Sequence, residues 1–218
     1  MKNTLISMFL LIFIGFLSAC GSNSDKGSSL SISIGPGLEI SESDSAERFK
    51  YVNLSTPKIN QFTAMSYSQI NIDEIENTDG SFKSNMFSFH AYTFYLNNMT
   101  KRSFSYQINI TDFTLNLPDM IRVMVITEDQ DGNKTTSIYR KNDSVIEEGL
   151  RSGSDLYPLI FEDEIDFESD ALIVNKTVEN NNELVKFSIV IWVEGNDPNS
   201  VSDMQEGTIN IEMKFLLV

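Results

Sequence analysis

Few side chains in this chain combine the type and the spacing that chemistry needs. The 218 residues hold one histidine, His90, set in an aromatic stretch, and no His-Glu-x-x-His pair. Zinc-dependent hydrolysis needs two or three nitrogen or carboxylate ligands around an open coordination position, and a lone imidazole does not supply them. A serine–histidine–acid relay would have to use the same His90, and no Gly-x-Ser-x-Gly is present to hold the serine. Ser55 and Lys58 fit Ser-x-x-Lys by letter, but Pro57 opposes the helical turn that would bring the lysine beneath the serine. His90 therefore reads as a structural residue, no catalytic residue is assigned, and the chain is expected not to be an enzyme. Oxygen ligands are more plentiful. Glu162, Glu164, Asp166 and Glu168 alternate along one run. They fit a solvated acidic face, with a calcium site as the sharper alternative, because hard cations take several carboxylate oxygens. Asp129, Asp131 and Asn133 resemble a calcium loop, yet Gly132 comes two positions too early for the EF-hand spacing, and Asp131-Gly132 is a hairpin signal. Calcium is the one cofactor left open.

The lone cysteine has a more specific context. Lys2 gives a basic start, residues 5–16 are apolar and uncharged, and Leu17-Ser18-Ala19-Cys20 follows. A short basic head, an apolar run below transmembrane length and a small-residue cleavage site make an export signal. Leu-Ser-Ala-Cys resembles a bacterial lipobox, which implies cleavage before Cys20, acylation of its sulfur, and an extracytoplasmic protein tethered to the membrane by lipid. Several acyl chains hold firmly where one is marginal, at about 0.8 kcal/mol per buried CH₂.

Removing residues 1–19 takes away Lys2 and no acid, so the mature chain carries 15 basic and 31 acidic side chains. That charge opposes direct binding to nucleic acid or anionic lipid headgroups. With its only cysteine committed to lipid, the exported chain has no disulfide to rely on, and its stability must come from a core.

The elements that must build that core read as strands. In the closing stretch, Ile209, Ile211, Met213, Phe215 and Leu217 alternate with Thr208, Asn210, Glu212 and Lys214, the period of a half-buried strand. Before it, Phe187, Ile189, Ile191 and Val193 form one face, and Lys186, Ser188, Val190, Trp192 and Glu194 the other. Between these strands, Asp197 is placed to cap a helix starting at Pro198 and ending at Gly207. Trp192, Glu194, Gly195, Asp197 and Pro198 form a compact turn. It offers either a binding rim or a tryptophan packed on the sheet beside a glycine that supplies an unusual backbone angle. Residues 87–96 are aromatic on both faces and suit a central strand, and residues 121–126 form an apolar run suited to a covered one. Leu30, Ile32 and Ile34, then Leu38 and Ile40 beyond Gly35-Pro36-Gly37, give a short alternating segment after a polar tether at residues 21–29. It reads as an edge strand of its own domain, or else as a donor strand completing a neighbour's sheet. Residues 61–73 show no clean period, and residues 142–159 read as a long polar loop. About eight short strands punctuated by turns predict an all-β, jelly-roll or Ig-like antiparallel β-sandwich with one or two short helices. The expected organisation is a leader at 1–19, a lipidated tether with its strand at 20–45, and a sandwich domain at 46–218.

The run TFYLNN from Thr93, SYQINIT from Ser105, DMIRVMVI from Asp119, TSIYRK from Thr136 and SIVIWVEGNDP from Ser188 resembles the camelysin/TasA-type secreted proteins. These are surface and biofilm-matrix proteins of Gram-positive bacteria. The resemblance covers residues 82–218, with Trp192-Val193-Glu194-Gly195 its most specific piece. It implies a jelly-roll-like sandwich that works in extracellular fibres or surface structure, with other copies or related subunits as partners. Some camelysin-like proteins are described as metalloproteases; the ligands for that are missing here. Two features depart from the pattern. The lipobox replaces an ordinary cleaved signal and implies a tethered member that anchors or seeds a fibre. Asn199-Ser200 stands where many relatives carry Asp-Cys. The alternative to a structural module is a surface lipoprotein that binds a ligand or glycan, with or without calcium.

Overall fold

The computed structural model describes residues 27–45, 53–100, 102–115, 117–142, 164–178, 184–195, 197 and 204–218. The strands are β1 (Ser29–Ile34), β2 (Glu39–Ser41), β3 (Asn53–Ser55), β4 (Gln61–Met65), β5 (Gly80–Ser81), β6 (His90–Asn97), β7 (Phe104–Phe113), β8 (Ile121–Asp129), β9 (Lys134–Arg140), β10 (Glu164–Asp166), β11 (Leu172–Val178), β12 (Leu184–Glu194), β13 (Met204–Glu206) and β14 (Ile209–Leu217). Two short helices interrupt them, α1 (Ile72–Glu76) and α2 (Leu117–Met120). The expected all-β sandwich forms. One sheet runs β11-β7-β14-β1-β3. The other runs β10-β9-β8-β12, and the far side of β12 is shared by β6 and β4. Most pairings are antiparallel; β1 with β14, β9 with β10, and β4 with β12 are parallel.

The alternation read from β14 is what is buried: Ile209, Ile211, Met213 and Phe215 are inside, while Lys214 is exposed. Across the core they meet Phe187, Ile189, Ile191 and Val193 of β12. The two sheets are knitted by aromatic rings. Phe187 stacks on Phe94 at 5.4 Å and meets Phe215 edge-on at 5.0 Å, the offset and T-shaped geometries that ring quadrupoles favour.

The opposite face of β12, which carries Lys186, Ser188, Val190, Trp192 and Glu194, is covered as well. Val190 and Trp192 join Met65, Ile75, Phe89, Met124 and Ile126 in a second apolar cluster, so β12 is covered on both sides. The polar groups there are satisfied internally: the Ser188 and Thr93 hydroxyls are 2.8 Å apart, and Thr93 donates to the Ile75 carbonyl at 3.0 Å. Residues 61–73 lacked a period because they divide into β4, a 3₁₀ turn and the start of α1 within thirteen residues.

Two expectations about segment boundaries are corrected. The first concerns the segment after the tether. β1 is not an edge strand; it lies between β14 and β3, with Ile32 opposite Met213 on one side and Leu54 on the other. Leu30, Ile32, Leu38 and Ile40 are all within 4% of full burial, and Ile34 packs against the same core. The sandwich therefore includes these residues and does not begin at 46. Between β1 and β2 the chain crosses from one sheet to the other through Gly35-Pro36-Gly37, where Gly37 takes φ +87°. β2 then pairs with β6. The second correction concerns the expected helix from Pro198 to Gly207. Residues 204–206 are β13, antiparallel to β4, and Gly207, at φ +124°, links two strands instead of ending a helix. Residues 198–203 lie outside the described residues.

Candidate functional site

The turn after β12 is where the sequence concentrated its most specific residues, and the structure makes it an ionic anchor. Trp192 is fully buried, and its Nε1 donates to Glu194 Oε2 at 3.1 Å. The Asp197 backbone N–H donates to the Glu194 carbonyl, closing the turn. The Asp197 carboxylate does not cap a helix; its Oδ2 accepts from both terminal nitrogens of Arg122 at 3.3 Å. Arg122 is 3% exposed and opposes Trp192 on the neighbouring strand β8. Its Nε donates to Glu164 Oε1 at 2.9 Å. Gly195 is required for space, not for an unusual angle: a Cβ there would stand 3.2 Å from the Met65 backbone nitrogen. That close approach lets the Gly195 N–H donate to the Met65 carbonyl. Among the described residues of the turn, Trp192, Glu194 and Asp197 are buried and form a packed corner. Pro198 lies outside the described residues.

The acidic run is taken up by the same corner. Glu164 is not solvated; its side chain is 8% exposed between Arg122 and Arg140, whose Nε lies 3.4 Å from Glu164 Oε2. Asp166 faces Arg140 and accepts from the Asn142 amide at 3.0 Å. Glu168 accepts the Asn175 backbone N–H at 2.7 Å. The structure brings Glu164 and Asp166 to arginines and sends Glu168 elsewhere. Among the described residues no three metal-ligating side chains gather at one point. Glu162 and Cys20 lie outside the described residues. Asp129 is a hairpin residue: its carboxylate accepts the Asp131 and Asn133 backbone N–H groups, and these bonds with the Asn133 amide hold it below the usual carboxylate range.

Arg122 is the residue that sequence reading missed. It sits inside the apolar run 121–126, and a single charge within such a run is itself the signal of a buried ion pair.

His90 opens β6, buried at 4% exposure, with Phe62 edge-on at 5.7 Å. Its Nδ1 is 3.2 Å from the Thr56 hydroxyl, and among the described residues Nε2 finds no hydrogen bond of good geometry. Burial lowers the imidazole to about 4, against a smaller upward pull from the Ser28 backbone. The unfolded chain takes up this proton near pH 6.5 and the folded chain does not, so stability present above 6.5 is lost as pH falls towards 4. The full loss is about 3 kcal/mol. Urea titrations at pH 7.5 and 4.5 should show this component in the parent chain and not in His90→Asn. A gap between the two proteins that stays constant across that interval would contradict it.

No family model, no curated protein and no solved structure matches this chain.

Proposed function

We propose that this chain is a lipid-anchored contact module of the bacterial cell surface. Acyl groups on Cys20 hold the sandwich outside the membrane, and the sandwich anchors or seeds fibres of related subunits. The resemblance to camelysin/TasA-type proteins motivates this reading, and it rests on the residues quoted above alone.

The observation that supports it is β1. The strand that follows the tether enters the sheet parallel to β14 and has no hairpin joining it to either neighbour. It is held by its ladder, by the buried Leu30 and Ile32, and by side-chain hydrogen bonds such as Ser29 to Asn210 at 2.9 Å. A strand attached that way occupies a slot that the same strand of another copy would also fit, which is the geometry of strand addition.

Two measurements test the proposal. Mass spectrometry of the mature N-terminus should find acylated Cys20; a free thiol there removes the anchor. A disulfide between Ser31→Cys and Glu212→Cys, register partners on the outer face, should lock β1 in place. The locked chain should stay monomeric and assemble only after reduction. Equal assembly with and without the lock rules out strand exchange.

A further inference from the structure

We propose that Phe113 and Leu115 form the membrane-facing tip of the sandwich and rest in the headgroup layer of the bilayer that holds the lipid on Cys20. The inference deepens the anchored reading above and rests on it: without an acylated Cys20 there is no surface for the tip to meet.

The tip begins where alternation fails. β7 buries every second residue as far as Ile110; at the register shift between Asn210 and Ile211 of its partner the pattern stops, leaving Thr111, Asp112 and Phe113 exposed together. Bulges re-aim side chains in this way. Phe113 is 51% exposed and Leu115 66%. Single exposed apolar side chains are ordinary on any protein. Here two share one turn, and Thr114 between them is fixed. Its backbone N–H donates to the Thr208 carbonyl at 2.8 Å, and its hydroxyl accepts the Thr208 N–H at 2.8 Å. Leu115 takes φ +59°, a left-handed conformation that strains a leucine. The chain then buries Leu117 completely. The fold thus keeps a phenylalanine and a leucine in water on a braced turn.

What covers them follows from where the chain enters the domain. Phe113 pairs with Ile209 of β14, and Ser29, at the start of β1, pairs with Asn210 on the other side of that strand. The entry point is therefore level with Phe113 and two strand spacings away, about 10 Å. From Cys20 to Gly27 the chain makes seven covalent steps. They span at most about 25 Å. The other end of the sandwich also exposes apolar side chains, Met99 at 59% and Val218 at 58%. That end lies about 30 Å from the tip, the length of β7. With it set on the membrane, Gly27 would stand farther from the lipid than the tether reaches. With the Phe113 end down, the tether needs only part of its length. A short tether also makes the apolar contact intramolecular, so two side chains carry weight that they would not carry in free solution. The excess of 31 acidic over 16 basic residues makes a zwitterionic surface the suitable partner.

The test uses the full acylated chain in phosphatidylcholine vesicles, with mass spectrometry of the same sample to read the lipid on Cys20. The native Trp192 is fully buried and serves as an internal reference. Leu115→Trp puts a second indole at the tip, Phe113→Trp repeats the reading without the strained position, and Met99→Trp puts one at the far end. Lipid brominated on its upper acyl carbons should quench the tip indoles about twofold and leave Met99→Trp and the parent chain unchanged. Phe113→Ser added to Leu115→Trp should remove most of that quenching. An acylated chain that floats with the vesicles while both tip indoles stay unquenched overturns the contact and leaves the anchor standing. A free Cys20 thiol in a chain that does not float removes anchor and contact together. Equal quenching at Met99→Trp, or quenching that Phe113→Ser does not lower, means that the indole itself seeks the lipid and overturns the proposal. A blue shift of the tip indoles that brominated lipid does not quench, and that dilution to one chain per vesicle abolishes, assigns the tip to a second copy and overturns it as well.

Discussion

Arg122→Ala is expected to lower the unfolding free energy by about 3–5 kcal/mol, among the largest effects of any single change in this chain. The guanidinium is almost wholly enclosed and serves two carboxylates at once, Asp197 with no exposed side-chain area and Glu164 with 8%. Removing it leaves both acids desolvated without that cation, and the low dielectric that strengthened the pair then works against the remainder. Glu164 retains Arg140 at 3.4 Å, so Glu164→Gln should cost less than Arg122→Ala. Arg122→Lys should fall between them, because an ammonium cannot serve Asp197 and Glu164 through a planar fork. Urea midpoints at pH 7 rank the three. An Arg122→Ala loss below about 1 kcal/mol would mean the corner is held by packing alone.

What could be read from the sequence, and what could not, follows from the range of the interactions. Alternation is a property of neighbouring residues, so β14, β7 and the two-sided burial of β6 and β8 were legible. The two-sided burial of β12 was not, because the cover of its second face comes from Ile75 and Phe89, about a hundred residues away along the chain. Ser188 finds its buried partner in the Thr93 hydroxyl, which itself donates to the Ile75 carbonyl. Asp197 and Pro198 carry the local signature of a helix start, but the long-range demand of Arg122 takes the carboxylate. Glu164 was read by its charge as solvated, and only the arrival of two arginines from β8 and β9 makes its burial favourable. Gly195 was singled out correctly for the wrong cause, since close approach of a second backbone leaves no trace in the residues beside it.

Deleting Ser29–Ile34 is expected to empty the native state. Leu30 and Ile32 are buried to within 1%. Truncation of each such side chain costs about 2–5 kcal/mol, and their joint loss is of the order of a whole domain's stability. The ladder adds to this. β14 would lose six register partners, and β3, which pairs with β1 at the end of its sheet, would lose the strand that holds it. A folded monomer lacking β1 is therefore not expected. Far-UV circular dichroism in water should show the deleted chain largely unfolded where the parent is native. The same physics sets the complementary result. Because β1 is joined to neither neighbour by a hairpin, a peptide of residues 28–41 supplied in trans should refill the slot and restore the sheet signal in a saturable way. Loop closure no longer helps the free peptide, so restoration should need it at a concentration that replaces the effective concentration the tether provides. A deleted chain that keeps the parent's urea midpoint would show that the slot is energetically neutral. A chain that unfolds but ignores the peptide would show that β1 is accepted only from its own chain, and exchange between copies would lose its physical basis.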